Sequence, residues 1–172
     1  MTSLTISSLL EPASVLPSLR AHDLTAVIQE MTRLAAEVTR LDHPSLQNAV
    51  IARSETSSLA MGRGVALPHA MIAGLDGPLG VFARLDPALE CDTPDGAPID
   101  LVMLIVSPEE DEATLLRSLA CAARRLRDRE VSARLRSAAN AEALHIVLTS
   151  DAWRGHLGGA VPYRAKHRTA MI

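Results

Sequence analysis

One ten-residue stretch gathers the types that could do chemistry: Met61-Gly62-Arg63-Gly64-Val65-Ala66-Leu67-Pro68-His69-Ala70. Two glycines one residue apart open backbone angles closed to other residues and let an incoming group approach the main-chain amides. Such amides can cradle an oxyanion. Pro68 fixes its own backbone angle and biases Leu67 toward an extended conformation, so His69 is expected to project from a stiff position at the end of a strand. Neutral imidazole is a nucleophile near neutral pH, and a hydrogen bond at one ring nitrogen selects the tautomer in which the other reacts. A phosphoryl group arriving there brings three charged oxygens, which backbone amides and arginines stabilise without covalent bonds. Arg53, Arg63 and Arg117 are the arginines expected to do so. The chemistry this combination suits is phosphoryl transfer, with a turn beside an ordinary histidine as the plainer alternative. No Gly-Lys-Ser/Thr follows the glycines, so the stretch is not a nucleotide P-loop, and its spacing is not that of a dinucleotide-binding loop.

The elements around it must hold that histidine in place. A short apolar lead, Leu4 to Leu10, ends at Pro12 and passes through Pro17 to Asp23, a good helix N-cap. Leu24, Val27, Ile28, Met31, Leu34, Ala35, Val38 and Leu41 then recur at helical spacing and predict one long amphipathic helix. Asp42-His43-Pro44 interrupts it, and a second helix is expected from Pro44 to about Arg53. Candidate strands are Ser57 to Met61, Leu79 to Leu85 and Ile99 to Val106, the last without alternation and therefore buried on both faces. After Pro108, acidic residues at the start and arginines at the end of a further helix suit its dipole. Val131 to Ala138 and Ala141 to Leu148, the latter capped by Asn140, complete the helices. The order predicts a three-layer α/β/α fold with a small mixed sheet flanked by helices. Residues 1–150 are expected to form this domain, and residues 151–172 a loosely packed or disordered tail.

Length and composition set the outer limits. The chain has 172 residues and only three aromatics, Phe82, Trp153 and Tyr163, which excludes a base-stacking platform for single-stranded nucleic acid. A net charge of -3 supplies no field toward nucleic acid or an anionic membrane. The longest aliphatic run, Leu101 to Val106, is far too short to span a bilayer, and no charged n-region opens the chain, so a cytoplasmic protein without membrane insertion is expected. Cys91 and Cys121 lack the spacing of a zinc or disulfide framework and read as reduced thiols. The other histidines, His22, His43, His145, His156 and His167, have no metal-ligand spacing, so neither a metal nor a cofactor is expected. The run from Arg117 to Arg136 holds seven arginines and reads as a solvated face, with an acidic partner or nucleic acid as alternatives. Asp86 to Glu112 carries nine acidic residues and no basic one, a side that could receive a basic carrier surface or simply solubilise its loops.

Gly62 to His69 resembles the Gly-x-Gly-φ-Ala-φ-Pro-His signature of type 2 enzyme IIA domains of the bacterial phosphoenolpyruvate-dependent phosphotransferase system, φ being apolar. The resemblance extends over roughly residues 4 to 149 and is nearest to the nitrogen-regulatory class. It takes in the N-terminal apolar lead, the helical hairpin, Arg53 and the Pro-φ-Asp-φ-φ strand at Pro98 to Val102. It implies that His69 accepts a phosphoryl group from an HPr-type phosphocarrier protein. The phosphate would be held by Arg53, Ser58, Gly62, Arg63, Gly64 and Arg117, and the phosphorylation state would regulate a kinase, transporter or transcriptional regulator. A sugar-transport subunit and a non-catalytic binding module with the same fold are the alternatives. The sequence departs from the family at Arg117, where many members carry a second histidine, at Ser58-Leu59-Ala60, which stands for Ser-Thr-Gly, and at Ala70, where glycine is common.

Overall fold

The structure is a computed structural model that describes residues 3–56 and 59–156. Its centre is β6 (Ile99–Pro108), whose residues Leu101 to Val106 are all fully buried. Successive side chains of a strand point to opposite faces, so an unbroken apolar run requires cover on both. Leu101, Met103 and Ile105 face one core, and Val102, Leu104 and Val106 face the other. Each such side chain contributes about 1.5–3 kcal/mol by leaving water.

The first core lies under a helical hairpin, α2 (Leu24–Thr39) and α3 (His43–Thr56). Asp23 caps α2 by accepting from the Ala26 N–H at 2.7 Å, and Val27, Ile28, Met31 and Ala35 form its buried stripe. Arg40 ends the helix in a left-handed conformation. The second core lies under α4 (Glu112–Arg127), α5 (Arg129–Ser137), α6 (Ala141–Thr149) and the single-turn α1 (Ile6–Leu9). Asp111, Asp128 and Asn140 cap the three longer helices of this layer through side-chain oxygens. Helices therefore cover both faces of a mixed sheet, the three-layer α/β/α order the sequence predicts.

Among the described residues the sheet has six strands. β1 (Val15–Leu19) runs parallel to β5 (Leu79–Leu89), which runs antiparallel to β6. On its other side β6 pairs in parallel with β3 (Val65–Ala66) and then with β4 (His69–Ile72), and β2 (Ala60–Gly62) closes a hairpin with β3. β3 and β4 are thus two halves of one strand interrupted at Leu67-Pro68. Proline has no N–H for the ladder, so the pairing pauses there and resumes at His69 opposite Ile105.

Three elements differ from the sequence expectation. β1 contains Pro17, which reads as a linker residue; it is tolerated because β1 is an edge strand with an irregular register around that position. His69 opens a strand of its own, β4, where the sequence places it at the end of one. The strand expected from Ser57 begins at Ala60, residues 57 and 58 lying outside the described residues. The tail from residue 157 lies outside them too, while Ala152–His156 forms a short 3-10 turn.

Candidate functional site

His69 is half-buried at the first position of β4. Parity along the strand puts it on the α4 side: Ala70 and Ile72 enter the α2–α3 core, whereas Met71 packs with the opposite one. The ring is fixed by its own backbone. Nδ1 lies 2.8 Å from the Leu67 carbonyl oxygen. A carbonyl only accepts, so Nδ1 carries the proton and Nε2 keeps the lone pair. The Leu67 carbonyl is available because the carbonyls of Gly64 and Pro68 are the ones turned toward β6, where they accept from Leu101 and Ile105 at 3.0 Å. Leu67 alternates with them and faces the side of β2, where its N–H donates to the Leu59 carbonyl at 2.9 Å.

Above this face runs α4, which begins just after β6 ends and doubles back over it. Its first turns carry a relay. Arg117 Nη2 donates to Thr114 Oγ1 at 3.0 Å, and Thr114 Oγ1 donates to Asp111 Oδ2 at 2.5 Å. The Thr114 hydroxyl and backbone N–H, with the Arg117 charge, hold the Asp111 carboxyl below its usual range. Arg117 itself is exposed and keeps further N–H donors in hand. Leu116 beside it is 58% exposed, a large apolar side chain left in solvent.

The six residues expected to hold phosphate separate into groups. Arg117 is exposed on α4, the helix that covers the side of the sheet toward which His69 faces. Arg53 is exposed in the last turn of α3, the helix that packs along β4 from the other layer. Ser58 lies outside the described residues. Gly62, Arg63 and Gly64 do not meet His69. Gly62 pairs with Val65, so Arg63-Gly64 is the two-residue turn of the β2–β3 hairpin, with φ of 56° and 79°. The Gly64 and Pro68 carbonyls are taken by β6 amides four residues apart, which separates the turn from the histidine by about 13 Å. The Arg63 amide, expected to face an oxyanion, already donates to Asp95 Oδ2 at 2.7 Å. That bond, followed by one from the Ala97 N–H, holds the Asp95 carboxyl below its usual range. Glycine spacing here marks a hairpin turn, which needs positive φ as much as an anion nest does.

Other sequence candidates resolve into structural roles. His43 Nε2 sits 3.2 Å from both Thr32 Oγ1 and the Gln29 carbonyl, joining α3 to α2. His145 donates from Nε2 to the Leu10 carbonyl at 3.0 Å. His22 stands beside Asp23 at 3.3 Å. Among the described residues no group of His, Cys, Asp and Glu could hold a metal, and no helix is long and apolar enough to cross a membrane. Cys91 and Cys121 are free, and burial pushes both thiols up. The acidic run does not form one patch: Asp95 and Asp100 serve the hairpin turn, while Glu109 to Glu112 lead into α4.

One residue of the site escapes sequence reasoning. Ser107 follows Ile105 on the same face of β6, opposite Met71, so it lies diagonally from His69. It is fully buried, and its hydroxyl has no hydrogen-bond partner among the described residues. A lone serine ending an apolar run gives no signal of this.

Residues 8–151 match the family described as "Phosphoenolpyruvate-dependent sugar phosphotransferase system, EIIA 2". A nitrogen regulatory protein of Bradyrhizobium diazoefficiens is 36% identical over 143 residues, covering 83% of this chain and 94% of that protein. The crystal structure of nitrogen regulatory protein IIA-Ntr from Neisseria meningitidis superposes with a TM-score of 0.78 at 25% identity, over 84% of this chain and 99% of that one. The fold also matches enzyme IIA for mannitol in its complex with phosphorylated enzyme IIB from Escherichia coli, with a TM-score of 0.66 at 16% identity, over 81% and 98% of the two chains.

Proposed function

Because this chain belongs to the type 2 enzyme IIA family of the phosphoenolpyruvate-dependent phosphotransferase system, we propose that it carries a phosphoryl group on His69 Nε2, received from a histidine-phosphorylated HPr-type carrier. The observation that carries this reading is the 2.8 Å bond from Nδ1 to the Leu67 carbonyl, which leaves Nε2 as the nucleophile. In the transfer, the Nε2 lone pair bonds to phosphorus as the carrier's N–P bond breaks, and that electron pair returns to the carrier's ring nitrogen. The proton stays on Nδ1. The resulting imidazolium is stabilised by the Leu67 carbonyl dipole, and the phosphoryl oxygens draw on the free donors of Arg117, with Arg53 approaching from α3. A guanidinium is always charged and can bind two oxygens at once, so Arg117 would hold the phosphoryl group longer than a second imidazole would.

A regulatory use is supported by the nitrogen regulatory relatives. The output would then be a protein partner of the kinase, transporter or regulator class that reads the phosphorylation state in the cytoplasm, and no freestanding cofactor is needed. Incubation with phosphoenolpyruvate, enzyme I and an HPr-type carrier should produce an acid-labile phosphorylated species that His69→Ala lacks. An unlabelled wild-type chain with cognate carriers would sink the proposal. A second reading, a binding module that keeps the fold without efficient transfer, is favoured by Arg117 alone. Arg117→His decides between them: a large gain in labelling means that chemistry was lost here, and no gain removes that reading.

A further inference from the structure

The end of the molecule away from His69 carries a concentration of arginine that the carrier role does not use. Arg63 projects from the β2–β3 turn, and Arg127 and Arg129 flank the junction of α4 and α5. Arg63, Arg129 and Arg136 line one open groove of about 610 Å³, and Arg63 and Arg127 line a second of about 320 Å³. Arg63 is therefore the wall between the two. Among the described residues, the one acid lining either groove is Asp100, and it is held by Arg136 through Nε and Nη2 at 2.7 and 2.9 Å.

The acids that could have neutralised the junction are committed elsewhere. Asp128 and Glu130 alternate in sequence with Arg127 and Arg129, yet both pair with Arg154, at 2.7 and 2.8 Å. Asp151 is shared by Arg154 and Arg125. Arg154 is itself fixed, with Arg134 and Arg125, around the Trp153 ring. The guanidinium groups of Arg63, Arg127 and Arg129 are left without an acidic or carbonyl partner among the described residues. Asp95 also sits at the turn, taken by the Arg63 and Ala97 N–H groups, and against it the three guanidiniums leave an excess of positive charge in a chain whose net charge is -3.

The backbone at Arg63 points the same way. Its φ of 56° lies in the left-handed region that favours glycine or asparagine, and the first position of this turn type is where those residues usually stand. A long cation is kept there instead. The turn is locked from three sides, by Asp95 on the Arg63 N–H, Arg136 on the Arg63 carbonyl at 2.7 Å, and Asp100 and Leu101 amides on the Gly64 carbonyl at 3.0 Å. The lock fixes where the side chain leaves the turn and offsets the cost of a non-glycine residue at positive φ. Ala88, Ala97, Pro98 and Ala133 give the larger groove small walls that do not block approach.

We propose that Arg63, Arg127 and Arg129 form a second anion site for a small ligand carrying two or more linked phosphoryl groups. The two grooves on either side of Arg63 let adjacent phosphoryl groups engage different guanidiniums, while a single phosphate reaches fewer of them. The site is independent of the chemistry at His69.

Titration of the full chain with inorganic tripolyphosphate at 0.15 M salt, followed by NMR of the arginine Nε–H groups and the amides of residues 62–64, tests this. Saturable shifts at Arg63, Arg127 and Arg129 are expected, with Arg33, which is held by Glu30 and Glu37, unmoved. The double variant Arg63→Gly, Arg129→Gln should weaken binding at least tenfold, and orthophosphate should bind at least tenfold more weakly than tripolyphosphate. Glycine suits the turn, so Arg63→Gly should melt no lower than the parent, which separates lost binding from lost folding. Shifts spread over all exposed arginines without saturation, or an unchanged double variant, would overturn the proposal. So would a glutamate octapeptide that saturates the site more tightly than tripolyphosphate, since it would assign the surface to an acidic protein.

Discussion

Replacing Arg84 with methionine should destabilise the domain by about 3 kcal/mol, because one guanidinium there joins three elements. Arg84 lies on β5, half-buried, and donates to the Pro17 carbonyl on β1 at 2.9 Å and to the Leu135 and Ala138 carbonyls at the end of α5 at 2.8 and 2.7 Å. Ala138 ends α5 with no backbone capping bond, so Arg84 supplies the donors that a C-terminal cap would otherwise provide. A net hydrogen bond is worth about 1 kcal/mol and one from a charged donor about 1.5–3, with the lower figure appropriate where water can reach the freed carbonyls. Methionine keeps most of the aliphatic stem, so the loss isolates the three bonds. For a domain of this size about 3 kcal/mol corresponds to a Tm lower by roughly 6–12 °C. Urea unfolding at fixed pH gives the free energy directly, and native-state hydrogen exchange should show faster opening in α5 than in α2. Arg84→Lys can remake at most part of the geometry and should fall between the two. A loss below about 1 kcal/mol, or faster exchange spread evenly over the molecule, would refute the clamp.

Leu104→Ala empties a fully buried position of the central strand and should cost about 2–5 kcal/mol by denaturant unfolding. Removing the guanidinium with Arg117→Ala should shift the phosphoryl equilibrium with the carrier back toward the carrier by about tenfold or more, the scale of one charge-assisted bond, as measured from labelled fractions at equilibrium. Stability should also respond to acid through the Arg154 cluster. Hydrogen bonds from Arg154 hold Asp128, and from Arg125 and Arg154 hold Asp151, below the usual carboxylate range. A depressed folded value means their contribution is complete above the unfolded value of about 3.9 and is lost as pH falls below it. A pH series of melting temperatures should therefore be flat in this respect from neutrality to about pH 5 and decline below, with a shallower decline in Asp128→Asn.

Elements with strong periodicity were the most legible. The stripe from Leu24 to Leu41 forces a helix, and Leu101 to Val106 can only be a strand covered on both sides. His69 stands out through the unbroken Gly62 to His69 signature, and Pro68 accounts for the pause in the ladder before it. What the sequence hid were effects of the third dimension. Pro17 lies in β1 because an edge strand has a free side, which no local pattern announces. The Gly62–Gly64 spacing fits a nest and a hairpin turn equally, and only the pairing of Gly62 with Val65 decides for the turn. Arg84 and Ser107 act across 51 or more residues, or through a missing partner, and neither leaves a trace in spacing.

The amide of Ile105 is held beneath His69 by its 3.0 Å bond to the Pro68 carbonyl, in the middle of a strand buried on both faces. It is therefore a reporter already installed in the molecule. The bond it makes is one peptide away from the imidazole, it has no titrating group of its own, and it is shielded from exchange with solvent. A change in the charge on the ring alters the polarisation of the Pro68-His69 peptide, and the Ile105 N–H chemical shift should follow it. The proposed phosphorylation of His69 could then be watched in an intact mixture of carrier and acceptor, without radioactive label and without quenching a linkage that acid destroys.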